Sequence, residues 1–159
     1  VLGNPRSVHC KSIKHPSVPK LSDARSSIIL DYEKDIRCCL SINHTHDNDI
    51  HGMKHSHAYA RVEGLKGAAY IKFGLLLNYP KGEPEEIEIS TDGVEWTKVN
   101  NVGTWFPDAF IGTMSSLQRF ASGEEKELLH SVDNAYETMA LVYACLKSNE
   151  SLGTPVEYN

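Results

Sequence analysis

The period of hydrophobicity changes once along this chain, and that change limits the fold more than any other feature. Up to about residue 100 the apolar residues alternate with polar ones or run in short β-branched blocks. "EIEIS" alternates strictly, "TDG" signals a tight hairpin, and "VEWTKV" is its partner strand. After Pro107 the step lengthens. Ile111, Met114, Leu117 and Phe120 follow at three-residue intervals, which keeps one face of a short helix apolar. Pro107 suits the first turn of that helix, Asp108 lies near the positive end of its dipole, and Gly123 can close it. A second helix starts near Ser131 or Asp133 and carries Ala135, Met139, Val142 and Leu146 on one stripe, with Gly153 and Pro155 to stop it.

The earlier half reads as a meander. "RSVHCKSIKH" is a strand ended by Pro16, and "RSSIILDY" turns at Glu33-Lys34-Asp35 into "IRCCLSINHTH". "HSHAYARVEG" turns at "LKG" into "AAYIKFGLLLNY", and "PVEY" is a last edge strand. Six to eight strands followed by two helices predict an α+β fold: one large open, mostly antiparallel sheet with both helices packed on one face. Ile, Leu, Cys and Tyr occur at both parities in several strands, so self-association through the open sheet face is expected.

At 159 residues, 40% hydrophobic and 23% charged, the chain is expected to form a single domain, residues 1–159, with a real core. Its net charge of −5 argues against a nucleic-acid binder, which needs a basic stripe to displace counterions. No apolar run reaches the roughly 20 residues that span a bilayer, so no membrane partner is expected. The four cysteines, Cys10, Cys38, Cys39 and Cys145, include no C-x-x-C, and neighbours on a strand leave on opposite faces. A disulfide framework is not expected, and a cytoplasmic location follows. Each cysteine reads first as a small buried apolar residue. The chain begins "VLGNP" without a methionine and is expected to be a piece of something longer.

The most conspicuous polar stretch is "NHTHDNDIHGMKHSHAY", which holds five of the eight histidines within fourteen residues. A His-x-His pair on a strand puts both imidazoles on one face, about 7 Å apart. Facing pairs, His44 with His46 and His55 with His57, would line one patch, with Asp47 and Asp49 to orient them. The spacing fits no standard zinc pattern. A polar hairpin is the first reading, a wall of a substrate pocket the second, and a metal site the third. Other catalytic signatures are missing: there is no G-x-G-x-x-G and no G-x-S-x-G, and Gly64-x-x-Gly67 lies between two strands. The paired carboxylates Glu85–Glu86 and Glu124–Glu125 read as solvated turns.

Three stretches together resemble the carboxyl-terminal domain of the glucose–fructose oxidoreductase, inositol dehydrogenase and rhizopine-catabolism (Gfo/Idh/MocA) family. "HAYARVEGLKGAAYIKFG" is similar to its strand–EGxKG–strand hairpin, and "WFPDAFIGTMSSLQRFASGE" to its Trp-containing loop leading into a helix. "HSVDNAYETMALVYACLKSNESLGTPV" is similar to its closing helix, in which Asp133, Asn134 and Thr138-Met139-Ala140 match the usual pattern. "LGNPRSV" resembles the link that follows the family's catalytic segment.

The resemblance implies a dihydrodipicolinate-reductase-like C-terminal domain, serving substrate binding and oligomerisation in an NAD(P)-dependent sugar or polyol dehydrogenase. The family's Rossmann domain, its Glu-Lys-Pro lysine and its aspartate–histidine segment would all lie before Val1. The chain by itself is therefore expected to be inactive and to hold neither NAD nor NADP. Its partners would be its own Rossmann domain, a sugar-like substrate and further copies of itself. Sugar hydroxyls need fixed donors and acceptors and an aromatic wall, and His44, His46, Trp105 and Asp108 are the candidates, with Lys54 and Arg61 for an acidic sugar. The alternative is a stand-alone module that dimerises through its sheet, with the 44–57 hairpin as a possible metal ligand set.

Overall fold

A computed structural model describes residues 2–14, 25–43, 58–74, 84–101, 103, 107–128 and 130–151. Their elements run β1 (Ser7–Ile13), β2 (Arg25–Asp31), β3 (Arg37–Asn43), β4 (Tyr59–Gly64), β5 (Gly67–Lys72), β6 (Glu86–Ser90), β7 (Thr97–Val99), α1 (Ala109–Ser122) and α2 (Val132–Glu150). The architecture is α+β, strands first and helices after, as the change of period requires. The single large sheet is a correction: the described strands form two antiparallel sheets, β1-β2-β3 and β4-β5-β6-β7. The chain likewise divides into two compact units, Val1–Gly52 with His130–Asn159, and Met53–Leu129.

In the first unit the register pairs Cys10 with Ile28 and Ile28 with Leu40, so Val8, Cys10, Ser12, Ile28, Leu30, Cys38, Leu40 and Ile42 share one face. The buried residues sit there: Cys10, Leu30, and Tyr32 just beyond the strand end. Cys39 leaves on the opposite face and is exposed, while Cys38 is half-buried, as neighbours on a strand must. The β2–β3 turn is tight enough to hold Lys34 (φ 62°) and Asp35 (φ 59°) in the left-handed region, closed by Tyr32 N–H donating to Ile36 O (3.2 Å).

Helix α2 is placed differently from the expected face-on packing. It runs along β1, whose outer edge has no neighbouring strand among the described residues. Cys10 N–H donates to Ser148 Oγ (2.8 Å) and Ser12 N–H to Asn149 Oδ1 (2.8 Å). Lys11 Nζ reaches Asn149 O (3.3 Å). The half-buried stripe of α2 is Leu141, Ala144, Cys145, Ser148 and Asn149, at steps of three and four residues. The expected stripe is corrected by this: Ala135, Met139, Val142 and Leu146 are exposed, Met139 at 60%. A helix that seals a strand edge must offer acceptors, so polar Ser148 and Asn149 take precedence over the larger apolar side chains.

In the second unit, β4 and β5 join through Leu65 and Lys66. Gly67 at φ +146° lets β5 press against β6: a Cβ there would overlap the carbonyl oxygen of Ser90. The β6–β7 turn is built by Asp92, whose Oδ1 accepts from Ser90 Oγ (3.1 Å), Val94 N–H (2.9 Å) and Glu95 N–H (2.9 Å). Helix α1 starts at Ala109 and ends on Gly123 at φ +82°, whose N–H donates to Phe120 O. Its predicted apolar face, Ile111, Met114, Leu117 and Phe120, is exposed, while Ser116 is buried and donates to Glu125 Oε2 (3.1 Å). The acidic pairs need adjusting too. Glu86 is a strand residue, half-buried on β6, and Glu125 is held by Ser116 and Arg119.

Candidate functional site

Of the four proposed substrate contacts, His44, His46 and Trp105 lie outside the described residues, as do Lys54 and the rest of the 44–57 hairpin. Asp108 is described. It is the N-cap residue of α1, half-buried, with helical φ/ψ (−65°, −24°) and no side-chain capping bond. Its main-chain oxygen receives Ile111 N–H (3.0 Å), and its side chain packs closely on the backbone of Gly103, where a Cβ would lie 3.0 Å from Oδ2. The helix-terminus reading of Asp108 is therefore the one its position satisfies. Among the described residues no group of three or more His, Cys, Asp and Glu side chains is arranged to hold a metal ion.

The matching pattern of the closing helix has a local cause. Ser131 is the N-cap of α2 and its Oγ accepts from Asn134 N–H (3.2 Å), Asp133 supplies the acidic first turn, and Thr138 Oγ1 donates to Asn134 O (3.0 Å). These residues start a helix; none of them builds a cleft.

The described side chains that do gather lie on one face of β4–β7. The register puts Tyr59 opposite Lys72, Arg61 opposite Tyr70, Tyr70 opposite Glu88, Lys72 opposite Glu86, and Glu88 opposite Lys98. Tyr59 and Tyr70 stack with ring centroids 6.0 Å apart and planes at 26°. The Arg61 guanidinium lies 5.5 Å from the centroid of Trp96 and pairs with Glu63 (2.5 Å). Lys98 Nζ reaches Glu86 Oε2 (3.8 Å). The opposite face is apolar: Ala60, Val62, Ala69, Ile71, Ile87, Ile89 and Val99 follow from the same parity. Sequence reading named Arg61 on this face but passed over Tyr59, Tyr70 and Trp96. The signal was present, because a strict period of two places Tyr59, Arg61 and Glu63 together.

This face combines aromatic surface with alternating charge. A shallow groove of about 460 Å³ lies at the β4–β5 turn, lined by Val62, Glu63, Leu65, Lys66, Ala69 and Ser90. Ser90 Oγ is already engaged there by Asp92 and by Gly93 N–H (2.9 Å). The displaced titrations lie elsewhere. Arg6 beside Asp31, the Val94 and Glu95 amides on Asp92, and Arg119 beside Glu125 each hold a carboxyl below its usual range. Burial pushes the Tyr32 hydroxyl and the Cys145 thiol up. Each of these groups belongs to a turn, an ion pair or a packed layer, and none converges on a common ligand position.

Comparison of the chain with protein-family models, with curated proteins and with solved structures finds no match. No helix among the described residues is long and apolar enough to cross a membrane.

Proposed function

We propose that this chain is the substrate-binding and oligomerisation domain of an NAD(P)-dependent sugar or polyol dehydrogenase. Its β4–β7 face would be the surface that pairs subunits. The observation that carries this reading is the composition of that face: two stacked tyrosines, a tryptophan under an arginine, and acid–base pairs across strands, all on one face of an antiparallel sheet. Tyr, Trp and Arg are the residues that dominate protein interfaces, and mixed charges set the register of partners. The three stretches similar to the Gfo/Idh/MocA carboxyl-terminal domain, in that order, supply the reaction class.

The residues present do not fit a dinucleotide. Gly64 and Gly67 stand in a hairpin, Gly93 in another, and Gly123 ends a helix. The connection from β7 to α1, the strand-to-helix step that a phosphate cradle needs, carries only Gly103. Cofactor binding, and with it the chemical step, is assigned to a domain outside this sequence, and none of the residues in this chain is given a proton to move.

Sedimentation of the chain tests the pairing role. A dimer at micromolar concentration that Tyr70→Glu converts to a monomer supports it. A chain that stays monomeric at about 100 μM removes it. The dehydrogenase assignment is tested separately, on the product of the complete reading frame. Reduction of NAD or NADP with a panel of sugars and polyols supports it, and a frame without a strand–GxGxxG–helix unit removes it. Because the tyrosine, arginine and tryptophan contacts of this face all come from this chain, the second reading is a stand-alone dimeric module. It is favoured by a dimer whose frame contains no nucleotide-binding unit.

A further inference from the structure

The junction between β1 and α2 brings together two of the four cysteines. Cys10 is 9% exposed and lies on the covered face of its sheet. Its N–H is bonded to Ser148 Oγ at 2.8 Å. Cys145 lies one helical turn before Ser148, on the same half-buried stripe of α2. The helix is thus held against Cys10 by the turn that carries Cys145, and Cys10 adds to burial in pushing the Cys145 thiol up. Cys10 also contacts Ser12 Oγ at 3.7 Å, on the same side of the strand.

The pairings of Cys10 with the two β3 cysteines, and of those two with each other, are closed by geometry. Cys38 and Cys10 share a face, but β3 lies two strand spacings from β1, roughly 9.6 Å. A disulfide needs Cα atoms within about 7 Å. Cys39 is on the opposite face, and Cys38 and Cys39 point apart. A bond between Cys10 and Cys145 would tie together the two segments of the chain's first unit.

We propose that Cys10 and Cys145 form a thiol–disulfide exchange site, oxidised by small-molecule disulfides of the glutathione type, whose bond clamps α2 onto the edge of β1. Cys145, the more exposed of the two, attacks one sulfur of the small disulfide as its thiolate, forming a mixed disulfide and releasing one small thiol. Cys10 then attacks the Cys145 sulfur, forming the protein disulfide and releasing the second small thiol. Two protein thiols are oxidised and one small disulfide is reduced to two thiols. The closed loop covers most of the chain, so the bond removes much freedom from the unfolded state.

The test uses the full 159-residue chain equilibrated with oxidised glutathione, its remaining thiols blocked with iodoacetamide, then digested without reduction. The expected map joins the Cys10 and Cys145 peptides, with Cys38 and Cys39 alkylated. The unfolding midpoint of the oxidised chain should rise by roughly 5–15 °C, and dithiothreitol should reverse the rise. Cys145→Ser should abolish the shift. The wild-type map needs no variant to fold. Alkylation of both Cys10 and Cys145, or linkage of either to Cys38 or Cys39, overturns the site. A linked chain with an unchanged midpoint overturns the clamp.

Discussion

Replacing Ser148 by Ala and Asn149 by Leu removes both acceptors that seal the edge of β1 while keeping the helix backbone and most of the packed volume. The two bonds are each 2.8 Å long and lie in partly buried surroundings. A typical net contribution is about 1 kcal/mol per bond, and a donor left without a partner under the helix adds its own desolvation cost of about 1–3 kcal/mol. Rehydration of the edge recovers part of that cost. The double variant should therefore lose about 2–4 kcal/mol, and each single variant about half. With a urea slope of about 2 kcal/mol/M the midpoint falls by roughly 1–2 M at unchanged slope. Ser148→Thr, which retains a hydroxyl, should stay near wild type. Amide exchange provides a second measurement: Cys10 and Ser12 lose protection selectively, because the alternate amides of His9 and Lys11 point toward β2. A double variant that loses less than about 0.5 kcal/mol and keeps both amides protected refutes the claim that α2 acts as an edge cover.

Gly67→Ala should cost more than about 2 kcal/mol in urea unfolding, since it combines φ +146° with overlap on Ser90 O. Gly112→Ala, in α1 with open space around it, should instead stabilise by about 0.5–1 kcal/mol. Stability should fall on acidification through and below the ordinary carboxyl values of 3.8 for Asp and 4.5 for Glu. The folded carboxyls of Asp31, Asp92 and Glu125 titrate lower than those values, so their contribution is full above that range and lost as pH falls through the folded values. Urea midpoints measured from pH 7 to 2 check the sign, and Asp92→Asn should flatten part of the acid limb.

The parts of the fold that were readable in the sequence are those where local chemistry and tertiary demand agree. β6, its Asp-Gly turn and β7 follow from "EIEISTDGVEWTKV", because alternation and an Asx turn each require the same hairpin. The start of α2 was readable for the same reason, since Ser131 supplies the capping oxygen that a helix needs at its beginning, and Pro107–Asp108 marked the approach to α1 without a side-chain cap. The division into two sheets was not readable, since strand patterning fixes which face a residue takes but not which strands share a ladder. The contact stripe of α2 was misread because amphipathicity ranks Met139, Val142 and Leu146 above Ser148 and Asn149, whereas an open strand edge demands acceptors. As for the candidate site, Asp108 stands where its neighbours in sequence put it, and the tyrosine–arginine–tryptophan face became visible only through the cross-strand register.

The two sheets solve different problems, and the contrast bears on function. The three-stranded sheet ties several of its polar groups to one another: Arg6 on Asp31 at 2.7 Å, Ser12 on Ser26 at 2.6 Å, Ser148 and Asn149 on the edge amides. The four-stranded sheet displays its polar groups outward, in pairs whose charges already balance across strands. Such a face has little net field to draw in a charged ligand from solution. Its specificity must come from contact, through aromatic surface fitted to a surface of matching relief and through ion pairs that exchange partners without being left bare. That requirement describes a protein surface better than a small solute, which is why subunit pairing is proposed ahead of sugar binding for this face.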